Sequence, residues 1–180
     1  MVRDGDADAF DVLFIRHHIG VYSFAHTMLA DRQAAEDVLQ ETFVAVAEGA
    51  GRYTPRGRFR SWLMRIVRNR CLNRIEARRV RRAVVGGSAL EVADPATSEP
   101  DPVDVAETNE QHALLRSAVA ALPDRQREAV ALYAFEQMSY RDIADVLDIP
   151  INTVKTLLHR GRANLARAME RTEQESNREL

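Results

Sequence analysis

Apolar side chains recur at helical spacing along the first part of the chain and predict three helices. The first covers residues 7–29, where the repeat occupies six positions: Phe10, Leu13, Phe14, Val21, Phe24 and Leu29. Asp31 is a suitable N-cap for a second helix, which extends to about Glu48. A basic loop follows, and a third helix is predicted from about Phe59 to Arg82.

The helical repeat stops over residues 84–107, where Gly, Ser, Pro and acidic residues dominate, and this segment is predicted to be a flexible linker. The repeat resumes over residues 108–171 in four further segments, which end near Ala121, Phe135, Asp148 and Arg171. Residues 172–180 form a polar tail. No segment alternates like a strand, so the fold class is all-α, with two small helical domains joined by an acidic linker.

Charge is distributed very unevenly between these segments, although the net charge of the 180 residues is −2. Residues 52–82 carry 12 arginines and one acid, whereas residues 83–115 carry seven acids and no Lys or Arg. The basic segment, residues 52–82, has the charge density expected of a surface that binds a polyanion. The alternative is a solvated arginine-rich helix, which is disfavoured because both neighbouring segments are acidic.

Several classes of protein are excluded by composition. The chain has one cysteine, Cys71, which rules out an internal disulfide and a multi-cysteine zinc site. It has no apolar run of membrane-spanning length, and its acidic N-terminus is unlike a signal peptide. No phosphate loop, nucleophile elbow or pair of catalytic acids occurs, so we expect a protein that is not an enzyme and has no cofactor. The single cysteine and the lack of a signal peptide or membrane span favour a cytoplasmic location, and no metal site is expected.

The C-terminal segment has the layout of a helix-turn-helix. Ser139 and Asp142 make a start that resembles a capping box, and Val154 and Leu158 face the core from the second helix. The remaining positions of that helix are predicted to contact base edges and phosphates of DNA: Asn152, Thr153, Lys155, Thr156, His159, Arg160 and Arg162. The alternative is an ordinary helical hairpin with a basic exterior.

The segment AEDVLQETFVAV places acidic and amide side chains on one side of the second helix. The exposed side comprises Asp37, Gln40, Glu41 and Val44, while Leu39, Phe43 and Val46 face the core. Such a stripe favours docking of another protein over binding of nucleic acid. From periodicity alone, a plain solvated face is the favoured interpretation.

Three strings occur in a characteristic order: AEDVLQETF, then RFRSWLMRIVRNRCLNRIEARR, then SYRDIADVLDIPINTVKTLLHRGRANL. Together they resemble the extracytoplasmic-function (group IV) sigma factors of the bacterial sigma-70 family. The resemblance implies that residues 1–83 are sigma region 2, which docks on polymerase, recognises the −10 element and melts the promoter. It implies that residues 108–171 are sigma region 4, which recognises the −35 element.

The resemblance also implies roles for individual residues. The α-helical stripe from Asp37 to Val44 would bind the β′ clamp helices of core RNA polymerase, and residues 122–135 would pack near the β flap. The helix-turn-helix positions would contact the −35 element. The −10 element and the melted strand would be held by nine residues: Tyr53, Arg56, Arg58, Phe59, Arg60, Asn69, Arg70, Asn73 and Arg74.

As a whole, the resemblance implies a dissociable sigma factor that is a monomer when free and is controlled by an anti-sigma factor, which could hold it at the membrane. Its partners would be core RNA polymerase, promoter DNA and that anti-sigma factor. Four positions depart from the family: Ala47 stands where Trp is common, Asn73 where Asp is common, Leu157 replaces a common Arg, and Gly161 replaces a common Ala. The alternative function is a stand-alone dimeric helix-turn-helix regulator, which would not need the arginine block.

Overall fold

The computed structural model of the protein describes residues 7–49, 58–84, 115 and 117–176, and these contain helices and turns but no strand. Six helices have defined bounds: α1 (Ala7–Leu29), α2 (Arg32–Gly49), α3 (Phe59–Val84), α4 (Asp124–Ala134), α5 (Tyr140–Leu147) and α6 (Ile151–Ser176). Residues 117–120 are also helical and lead into the turn before α4. The predicted linker, residues 84–107, lies outside the described residues except for Val84.

The N-terminal unit, α1 to α3, is a three-helix bundle in which every pair of helices is in contact. Its centre is apolar and almost fully buried, and includes Phe24, Val38, Leu63, Met64 and Val67. Burial of side chains of this size from three helices removes the apolar stripes from water and fixes which faces point outward.

The α1–α2 junction follows the predicted capping logic. Ala30 adopts a positive φ of 49° and its N–H donates to the carbonyl of His26, which closes α1. The Asp31 carboxylate then accepts from the N–H of Ala34 at 2.9 Å, as an N-cap does. Arg78 of α3 donates to the other Asp31 oxygen at 2.6 Å and so ties this junction to the third helix.

The C-terminal unit, α4 to α6, has a helix-turn-helix made by α5 and α6 and supported by α4. Ser139 caps α5, because its hydroxyl accepts from the N–H of Asp142, as the sequence predicts. Asp148 ends α5 in the left-handed conformation, with φ 54°. Ile143, Leu132 and Leu158, one from each helix, are buried together and hold the motif at a fixed angle.

The two units pack against each other, α1 against α4 and α3 against α5. The sequence did not predict whether the two units pack against each other. The last helix also differs from expectation: it extends to Ser176 rather than ending near Arg171, so it includes part of the predicted polar tail.

Candidate nucleic-acid and protein interfaces

The predicted DNA-contacting residues of α6 lie on the outer side of the helix-turn-helix. Val154 and Leu158 are 0% and 2% exposed and face the core, whereas the polar positions around them are exposed. The exposed set contains all seven predicted residues: Asn152, Thr153, Lys155, Thr156, His159, Arg160 and Arg162. The structure therefore brings these side chains together on one helix surface, which we call the recognition face.

Most of the charge on the recognition face is uncompensated. Within the part of the chain that the structure describes, Lys155 and Arg160 make no ion pair. Arg162 differs, because its guanidinium lies 4.7 Å from the centre of the Tyr133 ring, a cation–π contact that fixes it toward α4. The hydroxyl of the exposed Thr156 donates to the carbonyl of Asn152 at 3.0 Å, which leaves its oxygen able to accept a hydrogen bond.

The structure explains both departures from the family pattern in α6. A Cβ on Gly161 would lie 2.7 Å from Cγ2 of Val130, so glycine lets α6 approach α4 closely despite its low helix propensity. Leu157 is half-buried and packs against the apolar core. Both residues therefore contribute to packing of the motif. With Leu rather than Arg at position 157, α6 carries one positive charge fewer than the family pattern.

The predicted protein-docking stripe of α2 also faces outward. Gln40, Glu41 and Val44 are exposed, and Val44 retains 57% of its surface as an isolated apolar side chain among polar ones. Phe43 and Val46 are buried behind the stripe, as expected, and Leu39 packs partly against the core. Asp37 is half-buried and accepts from the side-chain amide of Gln33 at 3.2 Å.

Two of the predicted DNA-contacting arginines pair with this same stripe. The Glu41 carboxylate accepts from Arg70 at 2.9 Å and from Arg74 at 2.6 Å, and Asp37 lies 3.9 Å from Arg74. The Nε atoms of both arginines are buried without a hydrogen-bond partner among the described residues. Sequence reasoning placed the acids and the arginines on separate surfaces, whereas the structure joins them into one α2–α3 charge cluster.

Asn69 and Asn73 are one turn apart on α3 and both are exposed beside this cluster. Their amide groups can donate and accept, which is what contact with base edges requires. The structure thus brings two amide side chains next to two arginines, on one surface of α3.

The start of α3 is only partly as predicted. Phe59 is half-buried, with its ring centre 5.6 Å from Trp62 and 5.5 Å from His17, so both aromatic rings belong largely to the edge of the core. The side chains of Arg58 and Arg60 are exposed, but each pairs with an acid of the C-terminal unit. Tyr53 and Arg56, the other predicted residues of this loop, lie outside the described residues.

Ion pairs and hydrogen bonds join the two units, and sequence reasoning did not predict them. The N-terminal unit contributes an arginine face, defined as Arg58, Arg60, Arg65 and Arg68. The C-terminal unit contributes an acidic face, defined as Glu128, Glu136, Asp142 and Asp145. The four acids are dispersed over α4, the turn after it and α5, so no local pattern in the sequence marks them as one surface.

Cys71 is fully buried in the N-terminal unit, and burial raises the pKa of its thiol to about 12. It is therefore a structural side chain with little thiolate at neutral pH. Among the described residues no group of three or more metal-ligating side chains comes together. Those residues also include no helix apolar and long enough to span a bilayer.

Comparison with known families assigns both units. Residues 13–81 match the model of sigma-70 region 2, and residues 112–165 match the model of sigma-70 region 4. The chain is 36% identical over 159 residues to the RNA polymerase sigma factor CarQ of Myxococcus xanthus, covering 88% of each chain. The chain belongs to the sigma-70 family, among its extracytoplasmic-function sigma factors.

Solved structures agree with this membership. The structure of CnrH with the cytosolic domain of CnrY matches with a TM-score of 0.68 and 27% identity, over 94% of this chain and 92% of that one. CnrH of Cupriavidus metallidurans is an RNA polymerase sigma factor. The sigma factor RpoE of Bartonella quintana, in complex with the anti-sigma factor NepR, shares the fold with a TM-score of 0.74 and 20% identity, over 91% and 98% of the two chains.

The chain is accordingly a dissociable sigma factor that directs transcription initiation. A stand-alone dimeric helix-turn-helix regulator, the alternative function, would leave α1 to α3 unexplained. Because residues 13–81 match sigma-70 region 2, that alternative is set aside. The all-α fold with two helical units is confirmed.

Proposed function

We propose that this sigma factor divides its work between three surfaces of the two units. The stripe from Asp37 to Val44 binds core RNA polymerase at the β′ clamp helices. The recognition face of α6 contacts the −35 element of promoter DNA. The exposed side of α3, with the loop before it, holds the −10 element and the melted strand.

The observation that carries this proposal is the recognition face itself. A rigid, buried α5–α6 core presents Lys155, Arg160 and neighbouring polar side chains outward, with no acidic partner for those two cations among the described residues. Uncompensated cations beside hydroxyl and amide groups on a helix-turn-helix suit phosphates and base edges of a duplex. Lys155, Thr156 and His159 suit base edges, while Thr153, Arg160 and Arg162 suit phosphates.

The polymerase-docking role is supported by the shape and charge of α2. Gln40, Glu41 and Val44 stand clear of the core on one side of a well-anchored helix. An apolar side chain ringed by acidic and amide groups suits a protein partner with a basic rim. Residues 122–135, which include α4, are proposed to lie near the β flap.

Partners other than polymerase follow from the relatives. The solved structures of CnrH and RpoE each contain a second protein, which for RpoE is an anti-sigma factor. We assign this chain an anti-sigma factor of the same kind, a cytoplasmic location, a monomeric free state and no catalytic step of its own. The domain limits stay a prediction, with residues 84–107 proposed as the linker.

Binding to core polymerase tests the docking surface directly. Glu41→Arg reverses one charge of the stripe and is expected to weaken binding of the full chain to core polymerase at least 10-fold, because like charges across an interface are strongly unfavourable. Glu36→Arg is the matched control, since Glu36 is an acid of the same helix whose ion pair among the described residues is a local one, with Arg32 at 3.0 Å.

Duplex binding is the companion readout for the same two variants. Both should bind duplex DNA through α6 as the wild type does, because neither residue lies in the C-terminal unit. Equal loss of polymerase binding in both variants, or joint loss of polymerase and DNA binding in Glu41→Arg, would remove α2 as the docking surface.

A further inference from the structure

The last turns of α3 extend beyond the packed part of the N-terminal unit. Arg78 still contacts the bundle, because its guanidinium donates to the carbonyl of Leu29 at 3.2 Å and to the Asp31 carboxylate at 2.6 Å. All six residues after it, 79–84, are exposed. Val80 and Val84 retain 50% and 79% of their surface, so no side of this segment turns into a core. We call this segment, residues 79–84, the α3 end.

The α3 end carries three arginines and no acid: Arg79, Arg81 and Arg82. Arg79 lies 3.9 Å from the carboxylate of Glu76, and both side chains are largely exposed. Arg81 and Arg82 make no ion pair within the part of the chain that the structure describes. Arg81 Nε donates to the carbonyl of Ala77 at 3.3 Å, which leaves the terminal nitrogens of its guanidinium available to an anion.

Helical geometry places Arg81 on the face of α3 that is proposed to hold the −10 element. Arg81 follows Arg74 by seven residues and Arg70 by eleven, which are about two and about three helical turns, so the three side chains lie in one row. Arg79 lies about 160° round the helix from Arg81, and Arg82 about 100°. Arg70 and Arg74 share the Glu41 carboxylate, so Arg81 is the cation of this row without an acidic partner among the described residues.

The order of elements indicates how the row runs along a promoter. The start of α3 and the loop before it are proposed to hold the melted strand, and the chain after α3 leads to the unit proposed to contact the −35 element. The α3 end therefore points from the −10 element toward the spacer, the duplex between the two elements. Arg81 lies about 10 Å beyond Arg74 along the helix, which corresponds to at most about three base pairs.

We propose that Arg81 binds a phosphate of the spacer duplex immediately upstream of the −10 element, and so extends the DNA contact of region 2 toward the −35 element. A phosphate gives a guanidinium two anionic oxygens, and such a contact positions the protein without reading the base sequence. Ala77 lies between Arg74 and Arg81 on the row and is small and exposed, which leaves room for the DNA backbone to approach. This inference rests on the proposed role of α3 in holding the −10 element.

Arginines at the end of a helix also have a structural explanation. Cations near a helix C-terminus interact favourably with the helix dipole. That interaction depends on the distance from the end of the helix and not on the side of the helix, so Arg79 and Arg82 would contribute to it as Arg81 does. A comparison of variants on different sides of α3 therefore separates the two explanations.

The test compares two DNA probes bound by the full chain assembled with core polymerase. The short probe is a single-stranded −10 oligonucleotide, and the long probe adds about ten base pairs of duplex, one helical turn, on the upstream side without a −35 element. Arg81→Ala should weaken binding of the long probe about 3- to 10-fold, lower its salt slope by about one and leave the short probe unchanged. Arg79→Ala is the matched control and should bind both probes as the wild type does.

A carboxylate at position 77 separates DNA contact from helix stability. Ala77→Glu places an acid one turn before Arg81, where an i,i+4 pair supports the helix but competes with a phosphate for the guanidinium. The long probe should lose affinity relative to the short one, while the thermal midpoint of the free protein should not fall. Ala77→Gln, of nearly the same size but uncharged, should keep the ratio of the two affinities close to that of the wild type.

Arg74→Ala tests the proposed function separately, because Arg74 belongs to the −10 part of the row. If it changes binding of neither probe, the role of α3 in holding the −10 element is wrong. If Arg74→Ala weakens both probes, the spacer contact alone is overturned by any of three results for Arg81→Ala: no loss, an equal loss on both probes, or a loss matched by Arg79→Ala.

Discussion

The two surfaces proposed to contact DNA differ in what surrounds their cations. On α3, Arg70 and Arg74 share the Glu41 carboxylate of α2, so these two cations of the predicted −10 surface are paired with an acid of their own unit. On α6, Lys155 and Arg160 have no acidic partner among the described residues. If both surfaces bind DNA as proposed, the cations of α6 are free of acidic partners, whereas Arg70 and Arg74 must exchange theirs for DNA.

We propose that this difference links binding of the −10 strand to polymerase docking in the N-terminal unit. Glu41 is both the partner of two arginines and a member of the proposed docking stripe. In this proposal, a basic surface of polymerase binds Glu41 and weakens its ion pairs with Arg70 and Arg74. The two arginines are then more available to DNA. Region 4 needs no exchange of ion-pair partners, because Lys155 and Arg160 on its recognition face have no acidic partner among the described residues.

The largest expected effect comes from the recognition face. Lys155→Ala and His159→Ala should each cost about 1–3 kcal/mol at one base pair of the −35 element and relax preference there, as loss of a base contact does. Arg160→Ala should instead weaken binding to all sequences and lower the salt slope by about one. Selection of bound duplexes followed by salt titration measures both.

Arg167→Ala is the matched control for the recognition face. Arg167 is an exposed cation of the same helix, further from its start, and its guanidinium donates to Asn164. This variant should retain base preference and affinity. A sequence-independent loss in Lys155→Ala or His159→Ala would reassign that residue to phosphate contact.

The next effect concerns the support behind the recognition face. Gly161→Ala should destabilise the protein by about 1 kcal/mol, because overpacking against Val130 outweighs the gain in helix propensity. Val130→Ala opens the space that the new methyl group needs, so the double variant should lose less than the two single losses together. Urea unfolding of the four proteins measures the coupling, and strict additivity would contradict the explanation given for Gly161.

The N-caps of the two units, Asp31 and Ser139, should contribute different amounts to the free energy of unfolding. Asp31→Ala in the N-terminal unit should cost about 1–2 kcal/mol, since it removes a cap and an ion pair, while Ser139→Ala in the C-terminal unit should cost about 1 kcal/mol. Asp31→Asn keeps an N-capping oxygen and serves as the control. Thermal unfolding near pH 7 is the measurement, and an equal cost for Asp31→Ala and Asp31→Asn would show that the charge matters more than the cap.

The pH dependence of that cap has a definite sign. Accepting a hydrogen bond from the Ala34 N–H, together with the contact to Arg78, holds the pKa of Asp31 below its ordinary value of 3.8. The stabilisation is therefore complete above pH 3.8 and is lost as the pH falls through the lower, folded-state pKa. Asp31→Ala should approach the wild type in stability at the acidic end, whereas Ser139→Ala should keep its cost.

The smallest expected effect tests the shared carboxylate. Glu41→Gln removes the charge that neutralises Arg70 and Arg74 and should strengthen binding of the −10 oligonucleotide a few-fold, the scale of partly exposed ion pairs. The same change should weaken core polymerase binding, so the two affinities should move in opposite directions. Movement in the same direction would break the proposed link between capture and docking.

Local features were predictable from the sequence because they depend on neighbours along one helix. Helical repeats located α1 to α3, and the caps at Asp31 and Ser139 were recognisable from residue type and spacing. The outward faces of α2 and α6 followed from the same repeats. Each of these is decided within a few turns of chain.

Features that depend on contacts between distant segments were not predictable. The pairing of Arg68 with Glu128 joins residues 60 positions apart, and periodicity contains no information about it. The need for glycine at 161 comes from Val130 on another helix, and the neutralisation of Arg74 comes from Glu41. Sequence reasoning therefore found the surfaces but not what already occupies them.

The most direct test of the central claim is run-off transcription with sigma-free bacterial core polymerase on a library of promoter fragments. We predict discrete start sites that appear only when this protein is added, preceded by shared −35 and −10 sequences. We also predict that Lys155→Ala changes preference in the −35 part alone. Absence of discrete starts, with the protein still shifting duplex DNA as a dimer without polymerase, would contradict the account.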